Sequence, residues 1–234
     1  MTVILVLTTF LIFAAVDYYL NRGKSPRQLV DKTHKLVAQR TAQQPSAVPF
    51  EPAVSWVDGF ALPERMQYHA GHAWCLAERR GVHRIGADEF AAKLAGSVDA
   101  VELPRPGRWL RQGQKAWSFR RGGEQVEMVS PVEGEILQVN EEVLKDPALI
   151  RKDPYGRGWL MTISVPDEES TFRNLLPPHM LGAWMRQSVE RLWQLQPAIA
   201  GATAADGGRP VEDLTAGLGT KAWSELGKEL FLTR

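Results

Sequence analysis

The chain has 234 residues, of which 44% are hydrophobic and 24% charged, proportions typical of a globular protein and not of a disordered or collagen-like one. Its 28 basic and 27 acidic residues give a formal net charge of +1, which argues against a dedicated nucleic-acid-binding protein. The single cysteine, Cys75, excludes an intramolecular disulfide framework and any cysteine-rich metal cluster.

The first predicted element is an apolar segment from Thr2 to Leu20, with no charge before Asp17 and with Tyr18 and Tyr19 near its end. A membrane-spanning helix needs about 20 largely apolar residues and often has aromatic residues at the interface. The positively charged start and small-residue cleavage site of a signal peptide are not evident. We therefore expect one uncleaved transmembrane helix over 1–20; a signal peptide and a buried helix are the alternatives.

The charges that follow this segment predict its orientation. Residues 21–44 carry six basic residues and one acidic residue, a local charge of +5. The positive-inside rule then places the N-terminus outside and the C-terminal domain in the cytoplasm, giving a single-pass protein of the inner (cytoplasmic) membrane. Arg22, Lys24 and Arg27 lie nearest the predicted span, where they either contact anionic headgroups or only set the topology.

Residues 21–65 are expected to form a basic amphipathic helix followed by an extended linker. Apolar residues recur at helical spacing after Ser25-Pro26, which predicts a helix from about Pro26 to Gln43. Prolines at 45, 49, 52 and 63 then predict the linker.

Residues 66–166 contain short apolar runs separated by turn residues, a pattern typical of a small antiparallel sandwich or barrel. One helix, Ala87–Leu94, is expected among the strands, with Asp88 as its cap. The predicted strands are Ala73–Ala77, His83–Ala87, Ser97–Glu102, Ala116–Arg121, Gln125–Ser130, Gly134–Val139 and Gly158–Ile163.

Residues 167–234 are predicted to be helical. A helix is expected to start after Pro177-Pro178 and to stop at Pro197, and a shorter one is expected between Val211 and Arg234. Their apolar stripes fit either the protein's own core or a docking face. These helices carry Trp184, Trp193 and Trp223, and tryptophan is enriched at the centres of protein interfaces, so a docking face is one of the two hypotheses.

Residues 66–166 contain two specific motifs in order, SPVEGEI from Ser130 and DPYGRGWL from Asp153. Together with the residues around them, from roughly Tyr68 to Val165, they resemble the glycine cleavage system H protein. The resemblance implies a barrel-sandwich hybrid fold, as in lipoyl domains. The expected fold class is therefore mainly β, with an N-terminal transmembrane helix and C-terminal helices.

The resemblance also implies a lipoyl-carrying lysine at a hairpin tip ahead of Ser130. Counting back from Ser130, that position falls on Gly123, and no lysine lies between Lys115 and Lys145. Gly122-Gly123 instead predicts a tight two-residue turn. We therefore expect a domain that is not lipoylated and that has no cofactor.

The sequence predicts no catalytic residue and no metal site. His69, His72, Cys75 and His83 are zinc-binding residue types, but their spacing matches neither a finger nor a ribbon. No nucleophile elbow or phosphate-binding loop surrounds a serine or Cys75.

A basic stretch between Pro104 and Gly122 is either a solvated edge or a contact surface. It carries arginines and tryptophans, both enriched at interface cores. The predicted partner contacts in it are Trp109, Arg111, Arg120 and Arg121.

The leading hypothesis is a non-catalytic, membrane-anchored accessory subunit that docks an H-protein-like domain on the cytoplasmic face of an integral membrane protein complex. An electron-transfer complex, respiratory or photosynthetic, is one candidate partner. Membrane lipid is contacted through the single span, and nucleic acid is not a predicted partner. The alternatives are a membrane-tethered lipoyl or acyl carrier modified at an atypical site, and a small-molecule or peptide-binding module that uses the vacated lipoyl groove.

Overall fold

The structure is a computed structural model that describes residues 11–19, 53–197 and 208–233. Residues 11–19 are helical, with exposed apolar side chains. Within these three ranges, no helix is both long and apolar enough to cross a membrane. Residues 1–10 and 20 of the predicted span lie outside the described residues. The predicted basic helix over 26–43 lies outside the described residues.

The chain divides into two compact units between Glu51 and Pro52. The second unit opens with a hairpin of two antiparallel strands, β1 (Val54–Val57) and β2 (Phe60–Pro63). Its turn residues, Asp58 and Gly59, have φ of 48° and 81°, as a type I′ turn requires. The predicted linker was therefore wrong for residues 54–63, because β2 buries Phe60 and Leu62 in the core.

Two antiparallel sheets form the body of this unit. The six-stranded sheet has the order β3-β4-β5-β11-β10-β7, and the three-stranded sheet has the order β6-β8-β9. The strands are β3 (Gln67–His69), β4 (Ala73–Arg79), β5 (Val82–Ala87), β6 (Ala100–Glu102), β7 (Trp109–Leu110), β8 (Lys115–Arg121), β9 (Glu124–Val129), β10 (Gly134–Val139) and β11 (Met161–Ser164). The mainly β fold and all seven predicted strands are confirmed, although the predicted first halves of β6 and β11 lie outside regular strands.

Helix α1 (Glu89–Ala95) begins where the sequence predicted a cap. The Asp88 carboxylate accepts a hydrogen bond from the Ala91 N–H at 2.8 Å, which satisfies one of the free amides of the first turn. The helix buries Phe90 and Leu94 in the core.

Among the described residues after α1, five further helices are present: α2 (Glu141–Lys145), α3 (Ala148–Lys152), α4 (Glu168–Arg173), α5 (Leu181–Leu195) and α6 (Thr220–Leu230). A 3-10 turn, Pro178–Met180, leads into α5, as the two prolines indicated. Helices α5 and α6 turn their apolar stripes inward, so that Met185, Val189, Trp223 and Leu226 belong to the core.

Candidate functional site

The hairpin between β8 and β9 is the first feature to consider, because its tip includes the position at which the resemblance implies a lipoyl lysine. Arg121 pairs with Glu124 across the two strands, which leaves Gly122 and Gly123 as a two-residue turn. Their φ values are 54° and 87°, in the region that favours glycine. The predicted tight turn is confirmed.

The C-terminal helix α6 packs against this hairpin. The Ser224 hydroxyl donates to the Gln125 carbonyl at 3.2 Å, and the Trp223 indole N–H donates to the Ala95 carbonyl of α1 at 3.1 Å. A Cβ added to Gly227 would lie 2.5 Å from a Val126 methyl group, so only glycine fits at this contact. The hairpin is therefore fixed on one side by the helix.

The two arginines beside the tip are already engaged within the fold. Arg120 forms an ion pair with Glu102 at 3.0 Å, across β6 and β8. Arg121 donates to the Thr215 hydroxyl at 2.8 Å and lies over the Trp223 ring. Arg121 is therefore tied to the C-terminal segment, whereas Arg120 is half-exposed and has one ion pair.

Residues 105–111, here called the basic loop, present a different surface. Arg105, Arg108 and Arg111 are all exposed, and none of them forms an ion pair with any residue that the structure describes. Trp109 stands between them with 47% of its surface exposed, on the edge strand β7. The structure thus brings Trp109 and Arg111 together and adds Arg105 and Arg108, which the sequence had included only in the broader basic stretch.

The three predicted tryptophan anchors are inside the fold or partly so. Trp223 is only 2% exposed. Trp184 stacks on His72 and donates its indole N–H to the Ala70 carbonyl at 3.3 Å. Trp193 is partly buried against the core. Arg22, Lys24 and Arg27 lie outside the described residues.

The histidines and the cysteine have separate environments. His69 accepts the Gly71 N–H at Nδ1, whereas the buried His83 has its Nε2 3.5 Å from Glu168. Burial raises the pKa of the Cys75 thiol to about 12, so this thiol is a weak nucleophile and a weak metal ligand. Within the described ranges, no three His, Cys, Asp or Glu side chains are placed to hold a metal ion.

His72 is the centre of a polar group that sequence reasoning missed. Its Nδ1 lies 2.8 Å from the Asp88 carboxylate, and its Nε2 lies 3.0 Å from the Ser188 hydroxyl. Its ring is stacked between those of Phe90 and Trp184. The only local signal for the group was the expected cap at Asp88, since Ser188 lies 116 residues beyond His72.

Comparisons with known proteins agree on one family. The profile of the family described as glycine cleavage H-protein matches residues 66–186. The glycine cleavage system H protein of Thermobifida fusca is 34% identical over 118 residues, which are 50% of this chain and 90% of that protein. The probable glycine cleavage system H protein of Aeropyrum pernix is 34% identical over 131 residues, covering 56% of this chain and 90% of that protein.

A solved structure is also similar to this chain. The crystal structure of a glycine cleavage system H protein from Mycobacterium marinum has 26% sequence identity and a TM-score of 0.47. The match covers 55% of this chain and 99% of the other.

Proposed function

The chain belongs to the glycine cleavage H-protein family, and from that premise we propose that it is a non-catalytic accessory subunit that has lost the lipoyl group. In this proposal a membrane segment holds its H-protein-like domain on the cytoplasmic face of an integral membrane protein complex. The domain then acts by docking to that complex and not by carrying a cofactor.

The loss of the lipoyl group is argued from the chemistry of the tip. Lipoylation is an amide bond to a lysine ε-amine, and neither Gly122 nor Gly123 can form it. The lysines nearest to the tip in the sequence are Lys115, at the far end of β8, and Lys145, at the end of α2. Lys115 is also engaged in an ion pair with Glu127. A swinging arm needs its attachment point at the exposed hairpin tip. Lys115 and Lys145 are not at this tip, and Lys221, which follows Thr220 beside Gly122, belongs to α6 and not to the hairpin, so none of these lysines occupies the position of the missing one.

The observation that carries the docking proposal is the basic loop. Arg105, Arg108 and Arg111 lie within seven residues of one exposed loop, and none of them forms an ion pair with a described residue. Exposed arginine beside an exposed tryptophan is the composition of an interface core. The partner surface that fits this loop is acidic, because opposite charges give an interface its orientation and speed its formation.

The membrane part of the proposal rests on composition. Residues 2–16 are uncharged, and the +5 segment, residues 21–44, begins after Asp17-Tyr18-Tyr19-Leu20. The described part of this region, 11–19, has Leu11, Phe13 and Tyr19 exposed by 67%, 77% and 79%. Side chains of this kind favour an apolar environment by roughly 1.5–3 kcal/mol each when fully buried.

The test is purification of the tagged full chain from native membranes in mild detergent. We expect an integral membrane complex to be retained, and we expect its affinity to fall about tenfold or more when Arg105, Arg108 and Arg111 are changed to Gln. The matched control changes Arg120, Arg157 and Arg173 to Gln, which removes the same charge from arginines already paired with Glu102, Glu142 and Glu169.

Two results would overturn the docking proposal. One is that the wild-type chain leaves the membrane as a lone monomer in every detergent that preserves membrane complexes. The other is that both triple variants lose the partner equally, because retention would then depend on overall charge and not on the basic loop.

A further inference from the structure

Asp88, His72 and Ser188 form a hydrogen-bonded series with the order and spacing of a serine nucleophile, its base and the group that orients the base. The two distances are 2.8 Å from Asp88 Oδ2 to His72 Nδ1 and 3.0 Å from His72 Nε2 to Ser188 Oγ. Both lie within the range for such groups. They come from the start of α1, the turn before β4, and the middle of α5.

The partners of His72 define which of its nitrogens is the base. An ionised Asp88 carboxylate only accepts hydrogen bonds, so the neutral imidazole must carry its proton on Nδ1. Nε2 is then the acceptor, and it faces the Ser188 hydroxyl. The other acceptor near this hydroxyl is the Trp184 carbonyl, at the slightly longer distance of 3.1 Å.

The surroundings of His72 suit an imidazole that becomes positively charged. Phe90 and Trp184 lie on its two faces, with ring centroids at 4.3 Å and 4.6 Å. Aromatic faces attract a cation, and the Asp88 carboxylate attracts it at the ring edge. The backbone of His72 has φ of 62°, a strained conformation for a non-glycine residue that clusters at functional sites.

Ser188 opens onto a surface groove of about 580 Å³, whereas His72 and Asp88 are buried. Such a volume is typical of sites for small ligands. Trp184, Leu230 and Leu232 line the groove with apolar surface, which suits an acyl chain. Gln187 lines the same groove and supplies N–H groups of the kind that stabilise a developing oxyanion, whereas Arg191 in this groove is paired with the Glu229 carboxylate at 2.7 Å.

We propose that Ser188 is an acyl-accepting nucleophile whose donor is an acyl thioester. Ser188 Oγ bonds to the carbonyl carbon as its proton moves to Nε2 of His72. The carbon–sulfur bond then breaks, and the leaving sulfur takes that proton and departs as a thiol. The acyl group remains on Ser188 as an ester. This modification is stoichiometric and independent of the docking proposed above.

The test treats the folded full chain with a fluorophosphonate probe, and in a second arm with the acetyl thioester of N-acetylcysteamine. Peptide mass spectrometry locates each adduct. We expect one adduct per chain on Ser188 in both arms, and none on Ser188 after the chain is denatured. Ser188→Ala abolishes labelling, whereas Ser170→Ala, at an exposed helical position, retains it.

Asp88→Asn separates activation of Ser188 from folding of α1. Asparagine caps helices as well as aspartate does, so the bond from the Ala91 N–H persists while the carboxylate facing His72 is lost. We expect labelling to slow by about 100-fold or more. The proposal would be overturned if Ser188 is not labelled in the folded wild-type chain. It would also be overturned if the denatured chain, or a folded Asp88→Asn chain, is labelled on Ser188 as fast as the folded wild type. Phosphonylation without acetyl transfer would refute a thioester donor.

Discussion

At the scale of single residues, the two glycines of the β8–β9 tip have different surroundings. A Cβ added to Gly122 would lie 2.6 Å from the Thr220 Cγ2 of α6, whereas one added to Gly123 would meet no heavy atom within 4 Å. Both residues have positive φ, so alanine at either position carries the left-handed penalty of about 1–2 kcal/mol. Only Gly122 adds a steric conflict with the C-terminal helix.

We therefore predict that Gly122→Ala destabilises the protein more than Gly123→Ala does. The Gly123 variant should lose about 1–2 kcal/mol of unfolding free energy, and the Gly122 variant should lose more because Thr220 or the start of α6 must move. Urea unfolding of the two variants measures the difference. Equal losses would mean that α6 does not press on the tip.

His83 gives a second prediction at this scale. Burial lowers the pKa of His83 below its ordinary value of 6.5, and the nearby Glu168 carboxylate opposes that shift only in part. Between the lowered pKa and that of the unfolded chain, the unfolded state binds more protons. Stability therefore rises with pH across this window and is lost as the solution is acidified. The pKa of His69 is lowered too, in the same direction.

The check is chemical denaturation of the wild type and of His83→Leu at several values between about pH 7 and pH 5. We expect a shallower loss of stability on acidification in the variant, because one proton-binding site of the unfolded chain is gone. His179→Leu, at an exposed position, should keep the wild-type slope. An unchanged slope in His83→Leu would refute the role of this histidine.

At the scale of elements, α6 is a structural part of the domain. Its Trp223 is 2% exposed and bonded to α1, whereas Trp109 of β7 is 47% exposed. We predict that Trp223→Ala costs about 3–5 kcal/mol of stability and that Trp109→Ala costs less than about 0.5 kcal/mol. Thermal and urea unfolding measure both. Similar costs would contradict the burial of Trp223 in the core and the exposure of Trp109.

The elements differ in how far the sequence could predict them. Local sequence signals predicted α1 and the β8–β9 turn. Asp88 comes directly before a helical pattern, and the Gly122-Gly123 pair lies between two strand patterns. The β1–β2 hairpin was missed because prolines around it resemble a linker, and only burial of Phe60 and Leu62 reveals it. The five-residue helices α2 and α3 are too short to show a periodicity.

At the scale of the whole molecule, the surface charge is nearly balanced, so attraction to a partner must be local. The exposed arginines of the basic loop are screened by salt, whereas burial of apolar residues 2–16 is not. The Debye length falls from about 10 Å at 0.1 M to about 3 Å at 1 M salt. We predict that high salt releases the partner from the basic loop while the chain stays with the membrane, as measured by fractionation. Release of the chain itself would contradict an apolar membrane segment.

The group around His72 shows what a sequence pattern leaves out. Its other two members, Asp88 and Ser188, are 16 and 116 residues from His72 in the sequence, and only the turn before β4 and the crossing of α5 bring the three together. The same holds for the environments of Trp184 and Trp223. In the sequence, the apolar stripes of α5 and α6 fit either a docking face or the core, and only the packing of these helices shows that they face the core. The family motifs predicted the fold around these residues but not their contacts.

The central claim is that this H-protein-like chain does not carry a lipoyl group. The direct measurement is the intact mass of the full chain isolated from its native cells, with a co-purified lipoylated H protein showing that the lipoylation machinery is active. Our account predicts that no lysine carries a lipoyl group, because the tip position is Gly123. A mass increase of one lipoyl group per chain, located on any lysine, would contradict it.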